Sequence, residues 1–288
     1  MEGHKYYVLR HYNDEMATIP KPLDKVILLD LDKTIINASN KLNDVRFIPT
    51  VKQIQSFGWK LGLSSDTPLD SLRIWSERFG MNGPTIAEKG AIIKTENGVV
   101  YAKPETVDMF AGLFRLAVDR ITRLDMKVVQ GTPVEIMFKN EVFGKSGDKV
   151  VFANNLRRSS LGIFVLRVDE TGRLTPNKDD TARVLKSIEG VLPNAPTIQK
   201  WSSNDRGIIV ISDLEISKRN GSALLMKQVG LRQIGMVGDS IIDYIGDDLA
   251  MHYAVGNASD EFKSKSNYVS AFELASGVVD ILGRLLRD

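Results

Sequence analysis

The stretch VILLDLDKT, residues 26–34, decides the predicted fold. Its first four residues form a continuous apolar run, which is typical of a parallel strand buried on both faces. Asp30 and Asp32 follow this run directly. Ligands of an open α/β sheet bind beyond the carboxyl ends of its strands, where a carboxylate can act as a nucleophile or hold a metal ion. The plainer interpretation is an acidic loop pair that caps a helix.

Strand and helix patterns alternate on either side of this stretch. Apolar residues recur at helical spacing over 48–57 and 69–79, and short strand-like runs lie at 59–63 and 84–87. The alternation returns after residue 213, where the predicted elements are a helix at 222–229, strands at 233–237 and 253–255, and a helix at 271–286. This order predicts an α/β fold with a doubly wound, parallel, Rossmann-like core sheet.

The middle of the chain has a different pattern. Glu96-Asn97-Gly98 separates two apolar runs and predicts a hairpin. The predicted elements that follow are helices at 105–124 and 179–188 and strands at 134–138, 149–152, 162–168 and 208–211. We therefore expect a core made of residues 25–91 and 212–288, an α+β unit inserted at 92–211, and an N-terminal extension at 1–24.

A second acidic motif, VGDSIID at residues 237–243, also follows an apolar run. Its Asp239 is expected at the same sheet edge as Asp30, because the carboxyl ends of parallel strands meet there. Asp30, Asp32, Asp239 and Asp243 would then surround one crevice. Carboxylates that crowd together repel one another unless a cation lies between them, and hard oxygen ligands favour Mg²⁺.

The composition excludes several other chemistries. The 288 residues include no cysteine and three histidines, which excludes disulfides, cysteine-ligated metals and cysteine nucleophiles. Basic and acidic residues nearly balance, with a net charge of +2, so no nucleic-acid partner is expected. The N-terminus lacks the apolar segment of a signal peptide, and no apolar run reaches the roughly 18 residues that cross a bilayer. We expect a cytoplasmic protein that does not bind membranes.

Four stretches resemble the haloacid dehalogenase-like phosphatase superfamily, in its type IIB cap branch, the Cof-like and sugar-phosphatase group. They are LLDLDKTII at 28–36, IAEKGAII at 86–93, MVGDSIID at 236–243 and AVGNASDEFKSKSNYVS at 254–270. Lys89 departs from the family, which commonly has asparagine at that position. The resemblance implies that the inserted unit is a type IIB cap that closes over a phosphate site.

The resemblance also implies residue roles. Asp30 would be the nucleophile that forms an aspartyl-phosphate, and Asp32 would protonate the leaving oxygen and then activate water. Mg²⁺ would be held by Asp30, Asp239 and the backbone carbonyl of Asp32, with Asp243 beside it orienting water or a lysine.

Two positions of the family pattern stay open between neighbouring residues. The family pattern has a phosphate-binding hydroxyl here, which is that of Ser64 or Ser65. Ser65 is favoured, because Asp66-Thr67 then occupies the place of the Gly-Arg pair that usually follows this hydroxyl in the family. The catalytic lysine position falls on Lys218 or on Asn220, and we favour Lys218 because the transition state needs a cation.

Other polar stretches have plainer interpretations. Residues 204–206 could face the substrate, but an ordinary hairpin turn is favoured. Arg157 and Arg158 are expected to be solvated charges.

The sequence thus predicts a Mg²⁺-dependent phosphatase that acts on a small phosphorylated metabolite, either a sugar phosphate or a phospho-acid. A phosphomutase of the same fold and a catalytically silent phospho-ligand-binding protein are the alternatives. The sequence does not predict an oligomeric state.

Overall fold

The computed structural model describes residues 19–133, 136 and 141–287. The strands in this part are β1 Val26–Leu29, β2 Lys60–Ser64, β3 Thr85–Ala87, β4 Ile92–Thr95, β5 Gly98–Tyr101, β6 Lys127–Gln130, β7 Lys149–Ala153, β8 Ser160–Val168, β9 Leu174–Pro176, β10 Ile198–Ser203, β11 Ile208–Asp213, β12 Ile234–Gly238, β13 Ala250–Ala254 and β14 Tyr268–Val269. The helices are α1 Phe47–Ser56, α2 Leu69–Phe79, α3 Pro104–Thr122, α4 Lys178–Glu189, α5 Lys218–Val229, α6 Asp260–Lys265 and α7 Leu274–Leu285.

Strand β1 lies inside a sheet with the order β14-β13-β12-β1-β2-β3-β4-β5. All four of its residues are buried, as the apolar run predicts. Ile27 and Leu29 pack in the cluster that contains α1, α2 and α7, whereas Val26 and Leu28 pack against α5 on the other face. This alternation places helices on both faces and confirms the predicted doubly wound α/β fold.

The register of β1 places the acidic motifs together. Leu29 lies opposite Val237 of β12 and opposite Leu63 of β2, and both pairings are parallel. The residues that follow these three strands therefore emerge at one edge of the sheet. Asp30, Ser65 and Asp239 belong to these three segments.

A second sheet has the order β10-β11-β8-β7-β6, and β9 pairs with β8. Helices α3 and α4 cover one of its faces, where Phe110 and Val184 pack with Ile163 and Ile209. We call residues 104–213 of the described part the inserted unit, and the first sheet with its helices the core unit. The chain enters the inserted unit after Lys103 and leaves it after Asp213. Lys103 joins these two connecting segments, because its Nζ lies 2.9 Å from a carboxylate oxygen of Asp213 and 2.6 Å from one of Glu215.

The hairpin of β4 and β5 differs from the sequence-based boundary. The prediction assigned residues 92–101 to the inserted unit, but β4 pairs with β3 and so extends the first sheet. Ile92 and Ile93 are buried in the core clusters, which explains this attachment. The change between sheets therefore falls after Tyr101.

Several short elements were not predicted: β6, β9, β10, β14 and α6. They have too few buried apolar residues for a periodic pattern; β10, for example, is exposed or half-buried throughout. The predicted strand at 134–138 lies outside the described residues except for residue 136, and residues 1–18 of the predicted extension lie outside them as well.

Residues 19–24 pack on the core unit. Ile19 is buried, and the carbonyl of Pro20 accepts a 2.6 Å hydrogen bond from the hydroxyl of Tyr253. Among the described helices, none is both long and apolar enough to cross a membrane.

Candidate active site

Lys218 bridges two carboxylates at the edge of the first sheet. Its Nζ donates hydrogen bonds of 2.6 Å to Oδ1 of Asp30 and of 2.6 Å to Oδ1 of Asp243. The lysine side chain is 1% exposed and the Asp30 side chain 9%. Burial by itself lowers the pKa of Lys218, but Asp243 and Asp30 outweigh that effect, so its pKa is raised and the ammonium stays charged.

The start of α5 positions this lysine. Lys218 is the first helical residue, and the hydroxyl of Ser217 caps the helix by accepting a hydrogen bond from the backbone N–H of Asn220. The side chain of Asn220 instead donates to the carbonyl oxygen of Glu215. Of the two candidates for the lysine position, the structure thus brings Lys218 to the carboxylates.

Asp243 holds the lysine rather than facing outward. Its Oδ2 accepts hydrogen bonds from the backbone N–H groups of Asp239 and Ser240, each at 3.1 Å, and from the Ser240 hydroxyl at 3.3 Å. The side chain is fully buried. Because both oxygens have partners, Asp243 is placed to fix the loop after β12 and the position of Lys218.

Asp30, Asp239 and Asp243 form an acidic cluster whose oxygens lie within 4.8 Å of one another. The Thr34 hydroxyl donates to Oδ2 of Asp30 at 3.1 Å and reaches Oδ1 of Asp239 at 3.5 Å. Burial raises the pKa of Asp30 to about 8, against the opposing charge of Lys218. Burial and then Asp243 raise the pKa of Asp239 to about 6. One lysine does not balance three carboxylates, so the donor set fits a hard divalent cation.

Asp32 lies in the gap between the two units. Asp32 is exposed to solvent, yet the surrounding protein removes enough water to raise its pKa, and the charge of Lys218 opposes that rise. The Thr67 hydroxyl hydrogen-bonds to this carboxylate, and the charge of Arg206 in the inserted unit also acts on it. Asp32 is therefore the carboxylate at this edge that faces the inserted unit.

The two candidate serines have different surroundings. The Ser65 hydroxyl donates to the hydroxyl of Thr67 at 3.1 Å and accepts the backbone N–H of Thr67 at 3.1 Å. It is thereby linked through Thr67 to Asp32. The Ser64 hydroxyl is buried and has no hydrogen-bond partner among the described residues. The geometry thus connects Ser65, rather than Ser64, to the acidic residues.

Sequence reasoning missed a contact between the units. Arg157, which was expected to be solvated, has a side chain that is only 10% exposed, whereas Arg158 is exposed. Its guanidinium donates to both carboxylate oxygens of Asp66 at 3.3 Å and to the Ser160 hydroxyl at 2.9 Å. The end of β2 has no basic residue at positions 66–67, and this contact brings one there from the inserted unit. The expectation of a solvated Arg157 was wrong because its contacts depend on packing between the units.

Glu88 makes the second contact between the units. Its carboxylate accepts hydrogen bonds from the backbone N–H groups of Arg158 at 2.7 Å and Ser159 at 2.9 Å, and from the Ser160 hydroxyl at 2.7 Å. Burial raises its pKa, and Arg157 opposes that shift. Glu88 thus holds the loop that carries Arg157.

The turn that carries Glu88 also touches α5. Glu88, Lys89 and Gly90 all have positive φ angles, of 47°, 62° and 113°. A Cβ atom on Gly90 would collide with the carbonyl oxygen of Ser217, so only glycine fits this close approach. The turn therefore connects the inserted unit to the helix start that positions Lys218.

Residues 204–206 form a turn between β10 and β11, as the plainer interpretation predicts. Asp205 pairs with Lys178 at 2.6 Å, and both side chains are exposed. Arg206 is exposed and makes no ion pair among the described residues. Its charge reaches Asp32, so this member of the turn lies near the gap between the units.

A family model matches most of the chain. Residues 27–282 match the family model for haloacid dehalogenase-like hydrolases. No curated protein matches the chain.

Solved structures show the same fold at low sequence identity. A haloacid dehalogenase-like hydrolase from Bacteroides thetaiotaomicron aligns over 91% of this chain and 99% of its own, with 17% identity and a TM-score of 0.62. A HAD/COF-like hydrolase from Plasmodium vivax aligns over 91% and 95%, with 16% identity and a TM-score of 0.59. A member of a phosphoryl-transfer superfamily aligns over 91% and 98%, with 14% identity and a TM-score of 0.56.

Proposed function

The chain belongs to the haloacid dehalogenase-like hydrolases, and from this premise we propose that it is a Mg²⁺-dependent phosphatase of a small phosphorylated metabolite. The observation that carries the proposal is the buried Lys218 that bridges Asp30 and Asp243 beside Asp239. This arrangement presents one carboxylate, Asp30, next to a fixed positive charge at the edge of the sheet. A phosphoryl group needs both a nucleophile and cations around its oxygens.

Asp30 would supply the nucleophile. One of its carboxylate oxygens attacks phosphorus, the bond from phosphorus to the ester oxygen breaks, and an aspartyl-phosphate forms. Lys218 offsets the negative charge that gathers on the phosphoryl oxygens. Its contact of 2.6 Å with Asp30 also favours the ionised carboxylate that the attack requires.

Asp32 would move the proton. Its raised pKa favours a protonated carboxyl group, which donates its proton to the departing ester oxygen. The resulting carboxylate then takes a proton from water as the water oxygen attacks phosphorus. That step frees Asp30 and inorganic phosphate and returns the proton to Asp32. The hydrogen-bonded link from Ser65 through Thr67 holds Asp32 in place.

The acidic cluster fits Mg²⁺. Asp30 and Asp239 would hold the ion, because both oxygens of Asp243 are already engaged. Burial is the main cause of the raised pKa values of Asp30 and Asp239, and repulsion from Asp243 adds to it; a cation would relieve that repulsion. When bound, Mg²⁺ would neutralise charge on the phosphoryl group during transfer.

A phosphate-release assay over a panel of phosphorylated metabolites tests the proposal. We expect release with Mg²⁺ and none after chelation. Formation of an isomerised product without phosphate release would identify a phosphomutase instead. Binding of a panel member without turnover would identify a silent binding protein.

Thermal melting tests the metal site without an activity readout. Mg²⁺ at about 100 times its Kd is expected to stabilise the folded protein by about 2.7 kcal/mol. Asp239→Asn should remove most of this gain, whereas Asp248→Asn, an exposed carboxylate outside the cluster, should leave it unchanged. An equal gain in all three proteins would contradict the assignment of the site.

A further inference from the structure

Arg157 lies on the face of the second sheet that is opposite to helices α3 and α4. The strand register places Trp201, Val210 and Gly162 side by side on one face, which is opposite to the face that α3 and α4 cover. A Cβ atom on Gly162 would lie 2.8 Å from Nε and 2.9 Å from Cδ of Arg157. Arg157 therefore crosses this face in space that only glycine leaves free. Trp201, two strands away on the same face, is half exposed.

This face meets the core unit at the leaving-group side of the candidate active site. Arg157 contacts Asp66, which follows Ser65 directly, and the charge of Arg157 acts on Asp32 as well as on Asp66 and Glu88. Arg206, a second cation of the inserted unit, also acts on Asp32. In the proposed reaction Asp32 faces the ester oxygen, so the charges of both arginines also act on the group attached to that oxygen.

Arg157 has hydrogen-bond donors that no other described residue uses. A guanidinium has five N–H donors. Within the described part of the chain it uses three of them, two on Asp66 and one on Ser160. Both contacts with Asp66 are 3.3 Å, longer than the roughly 2.7–2.9 Å of a strong charge-assisted hydrogen bond. The remaining donors are available to a ligand, and a carboxylate or phosphate pairs with a guanidinium through strong charge-assisted hydrogen bonds.

We propose that Arg157 is a specificity-determining residue that binds a second anionic group on the leaving-group part of the substrate. The substrate class is then a phosphomonoester that also carries a carboxylate or a second phosphate. Asp66 keeps the guanidinium in place before substrate binds. The substrate anion then replaces part of the contact between Asp66 and Arg157. Glu88 holds the loop, and Gly162 provides the space. This inference rests on the proposed phosphatase function.

Steady-state kinetics with matched substrates test it. The neutral probes are glycerol phosphate and glucose monophosphate; the anionic probes are phosphoglycerate, with a carboxylate, and glucose bisphosphate, with a second phosphate. We expect the wild-type protein to prefer the anionic member of at least one pair, which also distinguishes the two anions. Arg157→Ala should lower kcat/KM for that member about 10- to 100-fold, mainly through KM, the scale of one charged hydrogen-bonded pair. For the neutral probe, Arg157→Ala should change kcat/KM by less than about 3-fold.

Two further variants separate anion binding from a merely structural contact. Arg158→Ala removes the exposed neighbouring arginine. It should leave kcat/KM unchanged for both the anionic and the neutral probe. Asp66→Asn removes the competing carboxylate and should lower KM for the anionic probe; a structural contact would instead make it resemble Arg157→Ala.

Equal losses on all substrates in Arg157→Ala, or a wild-type protein without preference for the anionic probes, would overturn the inference while leaving the phosphatase intact. Absence of Mg²⁺-dependent hydrolysis of every probe, p-nitrophenyl phosphate included, would instead overturn the phosphatase function itself and this inference with it.

Discussion

The acidic site of the core unit and the Arg157 contact between the units are both built from ion pairs, but they differ in depth and in bond length. Lys218 is 1% exposed and lies 2.6 Å from each of two carboxylates. Arg157 pairs at 3.3 Å with an Asp66 side chain that is 46% exposed. The first arrangement suits a reaction that needs fixed charges. The second suits recognition, because a longer pair with one half-exposed partner, Asp66, can exchange that partner at lower cost.

Replacement of Lys218 should give the largest effect, because it disrupts the acidic site of the core unit, which is the deeper of the two regions. Lys218→Ala leaves Asp30 and Asp243 buried without their cation. We expect the metal-free protein to lose about 3–5 kcal/mol of unfolding free energy and activity to fall at least about 1,000-fold. Denaturant unfolding and phosphate release measure the two effects. The control is Lys227→Ala, which replaces an exposed lysine on the same helix. It should lower the unfolding free energy by less than about 0.5 kcal/mol. Comparable losses of unfolding free energy and activity in both variants would show that the buried bridge has no special role.

The turn that joins the two regions is the next most sensitive point. Gly90→Ala combines an unfavourable positive φ with a collision against Ser217. Gly98→Ala has a similar φ of 126° but open space around it, so it measures the backbone strain alone, about 1–2 kcal/mol. We expect Gly90→Ala to cost about 2 kcal/mol more than this control, with reduced activity because Lys218 moves. Equal unfolding free energies for the two variants would refute the close packing of the turn on α5.

A change at Glu88 should weaken only the Arg157 contact between the units, which is the shallower of the two regions. Glu88→Gln keeps the size of the side chain but loses the charge and one acceptor oxygen that serve the loop at 158–160. We expect a loss of about 1–3 kcal/mol of unfolding free energy. KM should change more than kcat, since the variant loosens the loop that carries Arg157 and leaves Lys218 in place. A kcat loss as large as that of Lys218→Ala would show that the two regions are not separable.

Relief of strain at the same turn should give the smallest effect, and it should stabilise. Lys89 has a φ of 62°, a conformation that asparagine adopts far more readily than lysine. Lys89→Asn should raise the unfolding free energy by about 0.5–1 kcal/mol, a rise in Tm of about 2 °C, with unchanged kcat/KM. Calorimetry measures the shift, and a lower Tm would mean that the lysine side chain contributes more than the strain costs.

The deeper region was largely predictable from the sequence. Asp30 and Asp239 follow apolar runs, and parallel strands bring their carboxyl ends to one edge, so two short motifs were enough to predict that these carboxylates meet. The α/β fold and the family are confirmed, and the catalytic roles stay predictions. Lys218 was favoured over Asn220 from the sequence, but its contacts with Asp30 and Asp243 depend on where α5 begins.

The shallower region could not be predicted. Arg157 and Asp66 are 91 residues apart, and Glu88 lies 70 residues before Arg158. No periodicity connects such pairs; their contact depends on how the inserted unit packs on the core. The same reason explains the hairpin at 92–101, whose turn signal was recognised but whose partner strand was not.

Direct detection of the phosphorylated enzyme decides whether Asp30 is the nucleophile. Asp32→Asn removes the group that activates water, so the intermediate should accumulate when this variant meets Mg²⁺ and p-nitrophenyl phosphate, whose leaving group departs without needing a proton from Asp32. Peptide mass spectrometry after rapid acid quenching should then find one phosphoryl group on Asp30 and none after Asp30→Asn is added to the variant. A phosphoryl group on another residue, or turnover that persists in Asp30→Asn, would contradict the assignment of Asp30.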